Sequence, residues 1–500
     1  MRGVDLAMLL VGATALAACG RDAAKEEPIA MKAGLYEVRL TGGGMARLAQ
    51  DGPGVTDGKI CVSESDAEYF PKKLAKTYLT MGDSCGPVDF ERTGNAVTGK
   101  FSCAVDPQRA TGDINTTFSG TVSEERFDSE VRRIDAAIPE LTDMQVITEM
   151  RRLLALLGDG HASIQPPPDR PDLLKALPVV FYLFEEGLFV AGAEADRRDL
   201  VGAQVLEIGK LTAERALDAV RPLIARDNEH WPREVGPLLL RQGPLLDALD
   251  ISSDPERIAL KIVRLDGDSE TIELTADSNL VQMGQVLPRP PGYLLLPDIL
   301  GGPPPLYLRN ADLSYWFEHL RDEGLVYCQI NRVLDEPGES FQDFSERLMD
   351  HVDAASPDRL VIDLRWNPGG NTHLVLPFLH RVIGSPANRR GRLFVIIGRR
   401  TSSAAMNLTA LLDRHTEAIF VGEPTGSSPT FVGETVPFEL PYTRVRANVS
   451  DLLWQSSWPM DYRTWVPPTI YAPPTFELYR RGRDPALEAI LSTRAHLPTS

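Results

Sequence analysis

Three rhythms of apolar and polar residues follow one another along the chain. Between 32 and 122, short runs such as Leu35-Tyr36-Glu37-Val38-Arg39-Leu40 alternate, separated by Gly42-Gly43-Gly44 and Gly52-Pro53-Gly54. A period of two puts one strand face inward, so this stretch predicts a small all-β domain. From 123 the period lengthens: Thr142-Asp143-Met144-Gln145 reads as a capping box, and Val146, Ile147, Met150, Leu153, Leu154 and Leu157 follow at helical spacing. The predicted helical segment, 123–170, stops its helix at Gly158-Asp159-Gly160-His161. A β-rich region over 171–277 includes Leu188-Phe189-Val190, 203–209 and a hairpin around Asp266-Gly267, with a helical interruption near 211–250. Residues 278–322, with Pro288, Pro290, Pro291 and Pro303-Pro304-Pro305, read as a connector. From 323 to 490, apolar strands (324–331, 360–364, 393–397, 418–421) alternate with helical runs (341–354, 372–383, 403–413). That alternation predicts a mostly parallel α/β core, and the whole chain reads as multidomain.

The first residues carry a different signal. Leu6 to Ala18 is apolar or small behind Arg2, and is too short to span a bilayer as a helix. It ends Leu16-Ala17-Ala18-Cys19-Gly20, which resembles the lipobox of bacterial lipoproteins. The resemblance implies a signal peptide over 1–18, lipidation of Cys19, a tether over 19–31 and an exported chain anchored by lipid to the membrane. Gly20 rather than Asp after the cysteine favours the periplasmic face of the outer membrane. The net charge is −18 and no basic stripe exists, which argues against nucleic acid as a partner.

Cys85 and Cys103 flank Thr93-Gly94-Asn95 almost symmetrically. A hairpin there predicts a disulfide between them in an oxidising compartment. Cys61 is then left over, and Cys328 in its apolar run reads as a buried thiol. Neither Cys-x-x-Cys nor His-Glu-x-x-His occurs, so no metal and no cofactor is expected.

The candidate chemistry sits in two short stretches. Asp363-Leu364-Arg365-Trp366-Asn367-Pro368-Gly369-Gly370 follows one core strand. Thr401-Ser402-Ser403-Ala404-Ala405 lies between the next strand and a helix. Ser403 at a helix N-terminus places a hydroxyl where the dipole favours developing negative charge. Ser402 or Ser403 serves equally well there as an N-cap without chemistry. The Asp-Leu-Arg-x-Asn-x-Gly-Gly pattern, with the serine that follows it, resembles the C-terminal-processing and tricorn-core serine peptidases. The resemblance covers roughly 123–490. It implies a crotonase/ClpP-like peptidase core, a PDZ-like β insert over 171–277, Ser403 as nucleophile, and an oxyanion hole from the amides of Gly369 or Gly370 and of Ala404. The opening Gly34-Leu35-Tyr36-Glu37 with Cys61, Cys85 and Cys103 resembles a bacterial exported domain of unknown function.

One branch of the peptidase family takes its base from a Lys after the next strand. Here that position is Ser428, and no Lys follows Ser403. The tricorn-like branch uses a His, which Gly158-Asp159-Gly160-His161-Ala162 matches in type and position. A neutral imidazole also suits proton transfer near pH 7. His380 and His415 lack a supporting motif. Asp461, ahead of Trp465-Val466-Pro467-Pro468, is expected as the orienting acid, with Glu423, Glu434 and Asp159 as alternatives. Asn331 could line the cleft or end a strand. The expected function is a lipid-anchored serine peptidase acting on peptide or protein through an acyl-enzyme. An esterase, or an inactive peptidase-like lipoprotein that binds peptide, is the alternative.

Overall fold

The computed structural model describes residues 122–279, 291–440, 443–459 and 461–493, preceded by the backbone of five strands between 34 and 117. Gly34–Thr41 pairs antiparallel with Val55–Val62. Asp89–Thr93, Ala96–Val105 and Gln108–Thr117 form an antiparallel sheet in which Thr93 stands opposite Ala96. Cys19 and Cys85 lie outside the described residues, as does the leader. Cys61 and Cys103 belong to strands described by backbone alone.

The helix Asp143–Ala155 begins with both halves of its capping box made: Thr142 accepts the Gln145 N–H, and Gln145 returns to the Thr142 N–H. It ends before Gly158, whose φ of +65° lets the chain leave the helix. A seven-stranded antiparallel sheet follows, ordered Ser269–Thr275, Arg257–Val263, Gln204–Ile208, Gly187–Glu194, Tyr293–Leu295, with Val179–Phe184 and Leu211–Thr212 beside it. The hairpin turns at Asp266-Gly267, with Gly267 at φ +96°.

The second large unit is a six-stranded sheet. Its order is Tyr315–Leu320, Leu325–Ile330, Arg359–Asp363, Leu393–Ile397, Ile419–Gly422, Ile470–Tyr471, all parallel after the first antiparallel pair. The sheet thus begins at Tyr315, inside the stretch whose prolines suggested only a connector. Tyr315–Leu320 is an edge strand. The four central strands are buried at every position but Arg359, because helices Phe341–Ala355, Val375–Gly384 and Ser403–His415 cross between them. Phe341, Phe344, Leu348 and Val352 recur at helical spacing and are all at most 1% exposed. Each such side chain contributes up to about 1.5–3 kcal/mol of burial. Cys328 is a buried free thiol, and desolvation pushes its pKa well up.

A three-stranded sheet joins the two units. Thr430–Glu439 and Arg446–Gln455 form a long hairpin, and Ser163–Gln165 pairs with its second strand. Ser163 stands opposite Asn448, so the turn carrying His161 is docked on a hairpin inserted between the last two strands of the parallel sheet. Among the described residues no helix is long and apolar enough to cross a membrane, and no group of three or more His, Cys, Asp and Glu could hold a metal ion.

Candidate active site

Strands Arg359–Asp363 and Leu393–Ile397 are parallel neighbours, so the turns after them emerge side by side. Hydrogen bonds then stitch one turn to the other. Thr401 Oγ1 donates to the Leu364 carbonyl (2.9 Å), Ser402 N–H to the Asn367 carbonyl (3.2 Å) and Ser402 Oγ to the Pro368 carbonyl (2.9 Å). Ser402 is the N-cap residue of Ser403–His415, but its hydroxyl makes no cap bond. The cap that the sequence allowed is not used, and the hydroxyl braces the two turns.

Ser403 has φ +52°, a left-handed conformation that non-Gly residues seldom adopt. Holding it costs about 1–3 kcal/mol, which the stitching must offset. The side chain is half-buried and touches Gly369: a Cβ built there would lie 2.5 Å from Ser403 Cβ and 3.0 Å from its Oγ. Gly369 (φ +125°) and Gly370 (φ +136°) both need glycine, and a Cβ on Gly370 would meet the Val333 carbonyl at 2.2 Å. The Gly369 N–H is already given to Asn367 Oδ1 (2.8 Å), which removes it as an oxyanion donor. The amides of Gly370 and Ala404 donate to nothing within the described residues.

The first three motif residues are a brace. Asp363, fully buried, accepts from Tyr327 Oη (2.6 Å) and from Arg365 N–H (3.0 Å) and Nε (2.9 Å). Arg365 also reaches Asp484 through two bonds of 2.8 and 2.7 Å and lies over the Tyr307 ring. Burial pushes the Asp363 carboxyl upward, and Arg365 opposes it.

The imidazole half is assembled from distant segments. Asp159 Oδ1 accepts the His161 N–H (2.8 Å) and the Ser450 hydroxyl (2.9 Å), and Oδ2 accepts the Ser450 N–H (3.0 Å). The His161 ring stacks on Phe431 at 5.3 Å and 9°. Phe431 packs in the cluster that also holds Ala404. The Nδ1 atom of His161 is buried without a hydrogen-bond partner. No hydrogen bond joins His161 to Ser403 in this conformation. Unliganded sites often hold such pairs apart until substrate arrives. Asp227, which carries no sequence motif, accepts the Gly160 N–H at 2.7 Å. It sits in a polar run, 226–230, whose only sequence-level sign is its interruption of a helical pattern.

The acids favoured by the sequence have other partners. Asp461 is bound by Arg463 through Nε (2.8 Å) and Nη2 (2.6 Å) and by the Ser457 hydroxyl, and none of its contacts is His161. Glu423 pairs with Arg399, and Glu434 is exposed with φ +59°. Asn331 does not line the cleft: it is buried, accepting from Gln329 (2.9 Å) and donating to the Leu313 carbonyl (2.9 Å). His380 is exposed, and His415 ends the helix that Ser403 begins. Ser428 donates to the Thr464 carbonyl (2.9 Å).

About three quarters of the chain shares the fold of the CPAF protein. The structure titled mature CPAF complexed with lactacystin is similar with TM-score 0.50 and 12% identity, over 73% of this chain and 90% of that one. A CPAF mutant matches over the same shares with TM-score 0.51 and 12% identity. The photosystem II D1 C-terminal processing protease aligns over 72% of this chain and 93% of that one, with TM-score 0.32 and 12% identity. Residues 31–154 match the family described as a protein of unknown function, DUF3617, a span that runs through the helix Asp143–Ala155. No curated protein matches the chain.

Proposed function

We propose that the chain is a serine peptidase in which Ser403 is the nucleophile. The observation that carries this is the strained Ser403 backbone, held at a helix N-terminus against Gly369, with the Gly370 and Ala404 amides left without partners. Nothing in packing alone favours a left-handed serine there. Ser403 Oγ attacks the substrate carbonyl while His161 takes its proton. The tetrahedral oxyanion lies on the two amides, and His161 returns the proton to the leaving amine. Water then hydrolyses the acyl-enzyme by the same route. Removing the nucleophile of such a site lowers kcat by about 10⁴–10⁶-fold. The fold shared with CPAF, and similarity to proteins titled as proteases, support a peptide or protein substrate. The sheet over 171–277 serves in this reading as a PDZ-like module that holds extended peptide. The lipobox-like Leu16-Ala17-Ala18-Cys19 supports export and a lipid anchor at Cys19, with the site on the periplasmic face of the outer membrane.

A fluorophosphonate probe read by mass spectrometry tests the assignment. Labelling is expected at Ser403, and Ser403→Ala and His161→Ala are expected to lose it while melting within a few degrees of the wild type. An unlabelled, folded wild-type protein would instead favour a peptide-binding lipoprotein.

A further inference from the structure

We infer that Asp227 is the positioning residue for His161, facing the imidazole from its Nδ1 side so that the other nitrogen is presented to Ser403. This rests on the reading of Ser403 and His161 as nucleophile and base. Three observations converge. The first is proximity: Asp227 Oδ1 takes the N–H of Gly160, the residue before His161, at 2.7 Å. A Cβ on Gly160 would lie 2.7 Å from the same oxygen, so glycine is what admits the carboxylate. The second is a missing partner at the imidazole and a missing cation at the carboxylate, which takes only uncharged donors, the Gly160 N–H and the Ser427 side chain among them. His161 Nδ1 is buried with no partner, and no Arg or Lys pairs with Asp227 among the described residues. Its Oδ2 receives the Ser428 N–H only at 3.4 Å.

The third is anchorage. Asn228 donates through Nδ2 to the carbonyls of Thr425 (3.1 Å) and Thr464 (2.8 Å), so the segment bearing Asp227 is pinned to the core that carries Ser403. Asp227 is thereby fixed relative to the nucleophile, while His161 hangs from the hairpin through Asp159 and Ser450. Half-covered at its surface, Asp227 is still desolvated by the protein around it, which pushes its carboxyl upward. The charge of His161 opposes that shift, and Asp159 adds to it. A carboxylate in that state gains most when the imidazole becomes charged, which is the moment Ser403 gives up its proton. The charged groups facing the imidazole are Asp227 and Asp159, and Asp159 is already occupied by Ser450.

The test is a ¹⁵N NMR titration of the His161 imidazole in the full-length protein, its signals assigned by their loss in His161→Ala. In Asp227→Asn, which keeps an acceptor for Gly160, the midpoint is expected to fall by at least about half a pH unit. It is expected to hold in Asp227→Glu. An unmoved midpoint in Asp227→Asn overturns the proposal. Should that variant not fold, the wild type decides alone: a slowly exchanging, strongly downfield Nδ1 proton at low pH supports the contact, and its absence refutes it. Fluorophosphonate labelling separates the two claims. A wild type that labels at Ser403 with an unmoved midpoint refutes only the positioning role. A wild type that never labels refutes the enzymatic reading, whatever the titration gives.

Discussion

The two halves of the site are built differently. The half carrying Ser403, the proposed nucleophile, comes from consecutive crossovers of one parallel sheet, and three hydrogen bonds from Thr401 and Ser402 lock it to the neighbouring turn. The imidazole half gathers Asp159, Asp227 and Ser450 from three separate regions, and its ring has no hydrogen bond at Nδ1. The first half stores strain at Ser403 and is rigid enough to keep it. The second is held by a few polar contacts between units. Oxyanion geometry tolerates little reorganisation, whereas a base need only arrive within hydrogen-bonding reach.

The largest effect should come from attacking the rigid half at its brace. Arg365→Ala leaves Asp363 and Asp484 facing each other without a cation, and removing one partner of a buried ion network costs about 3–5 kcal/mol. Urea denaturation should show a loss of that size, accompanied by loss of probe labelling at Ser403. A loss under about 1 kcal/mol would mean that the turn is held by its backbone bonds alone.

The same contrast separates what could be read from the sequence. Leu393–Ile397 stands at its predicted bounds, Leu325–Ile330 within a residue of them, and Ser403–His415 starts where predicted, because apolar runs and helical spacing are local signals. Asp363 to Gly370 was legible for a related reason: close approach and positive φ demand glycine in a contiguous motif. The imidazole half leaves no such trace. Ser163–Gln165 is too short to show any period, and its partner strand follows some 280 positions later. Asp227 lies 67 positions from Gly160, joined to it only by the fold. Asp461 looked like the better acid because it precedes a strand, but Arg463 two residues on takes its carboxylate, a local pairing that spacing alone did not weigh.

A smaller effect should follow in the looser half. Ser450→Ala removes the hydroxyl from Asp159 Oδ1, the oxygen that also holds the His161 N–H. Hydrogen bonds to a charged group contribute about 1.5–3 kcal/mol, so stability should fall by up to that amount. Activity should fall further: a misplaced base lowers kcat by up to about 100-fold while KM stays put. Steady-state kinetics on any cleaved peptide checks the split. An equal change in KM would mean that Ser450 shapes the substrate groove instead.

The smallest effect discriminates between the two aspartates. Desolvation pushes Asp461 up, but the bonds from Arg463 and Ser457 outweigh it, so its carboxyl lies below the ordinary 3.8. A depressed pKa contributes stability that is present above 3.8 and lost as pH falls through the folded value. Asp461→Asn should therefore cost less than about 1 kcal/mol at pH 7, because the pair is partly solvated, and the difference should vanish in acid. Asp227 has the opposite sign. Its raised pKa means stability that is complete below 3.8 and declines as pH rises through the folded value, so Asp227→Asn should melt no lower than wild type at neutral pH. Thermal melts of both variants between pH 3 and 8 read the two signs directly. Were Asp461→Asn to slow labelling of Ser403 while Asp227→Asn left it untouched, the acid would have to be reassigned to Asp461, and the base would have to move toward it on substrate binding.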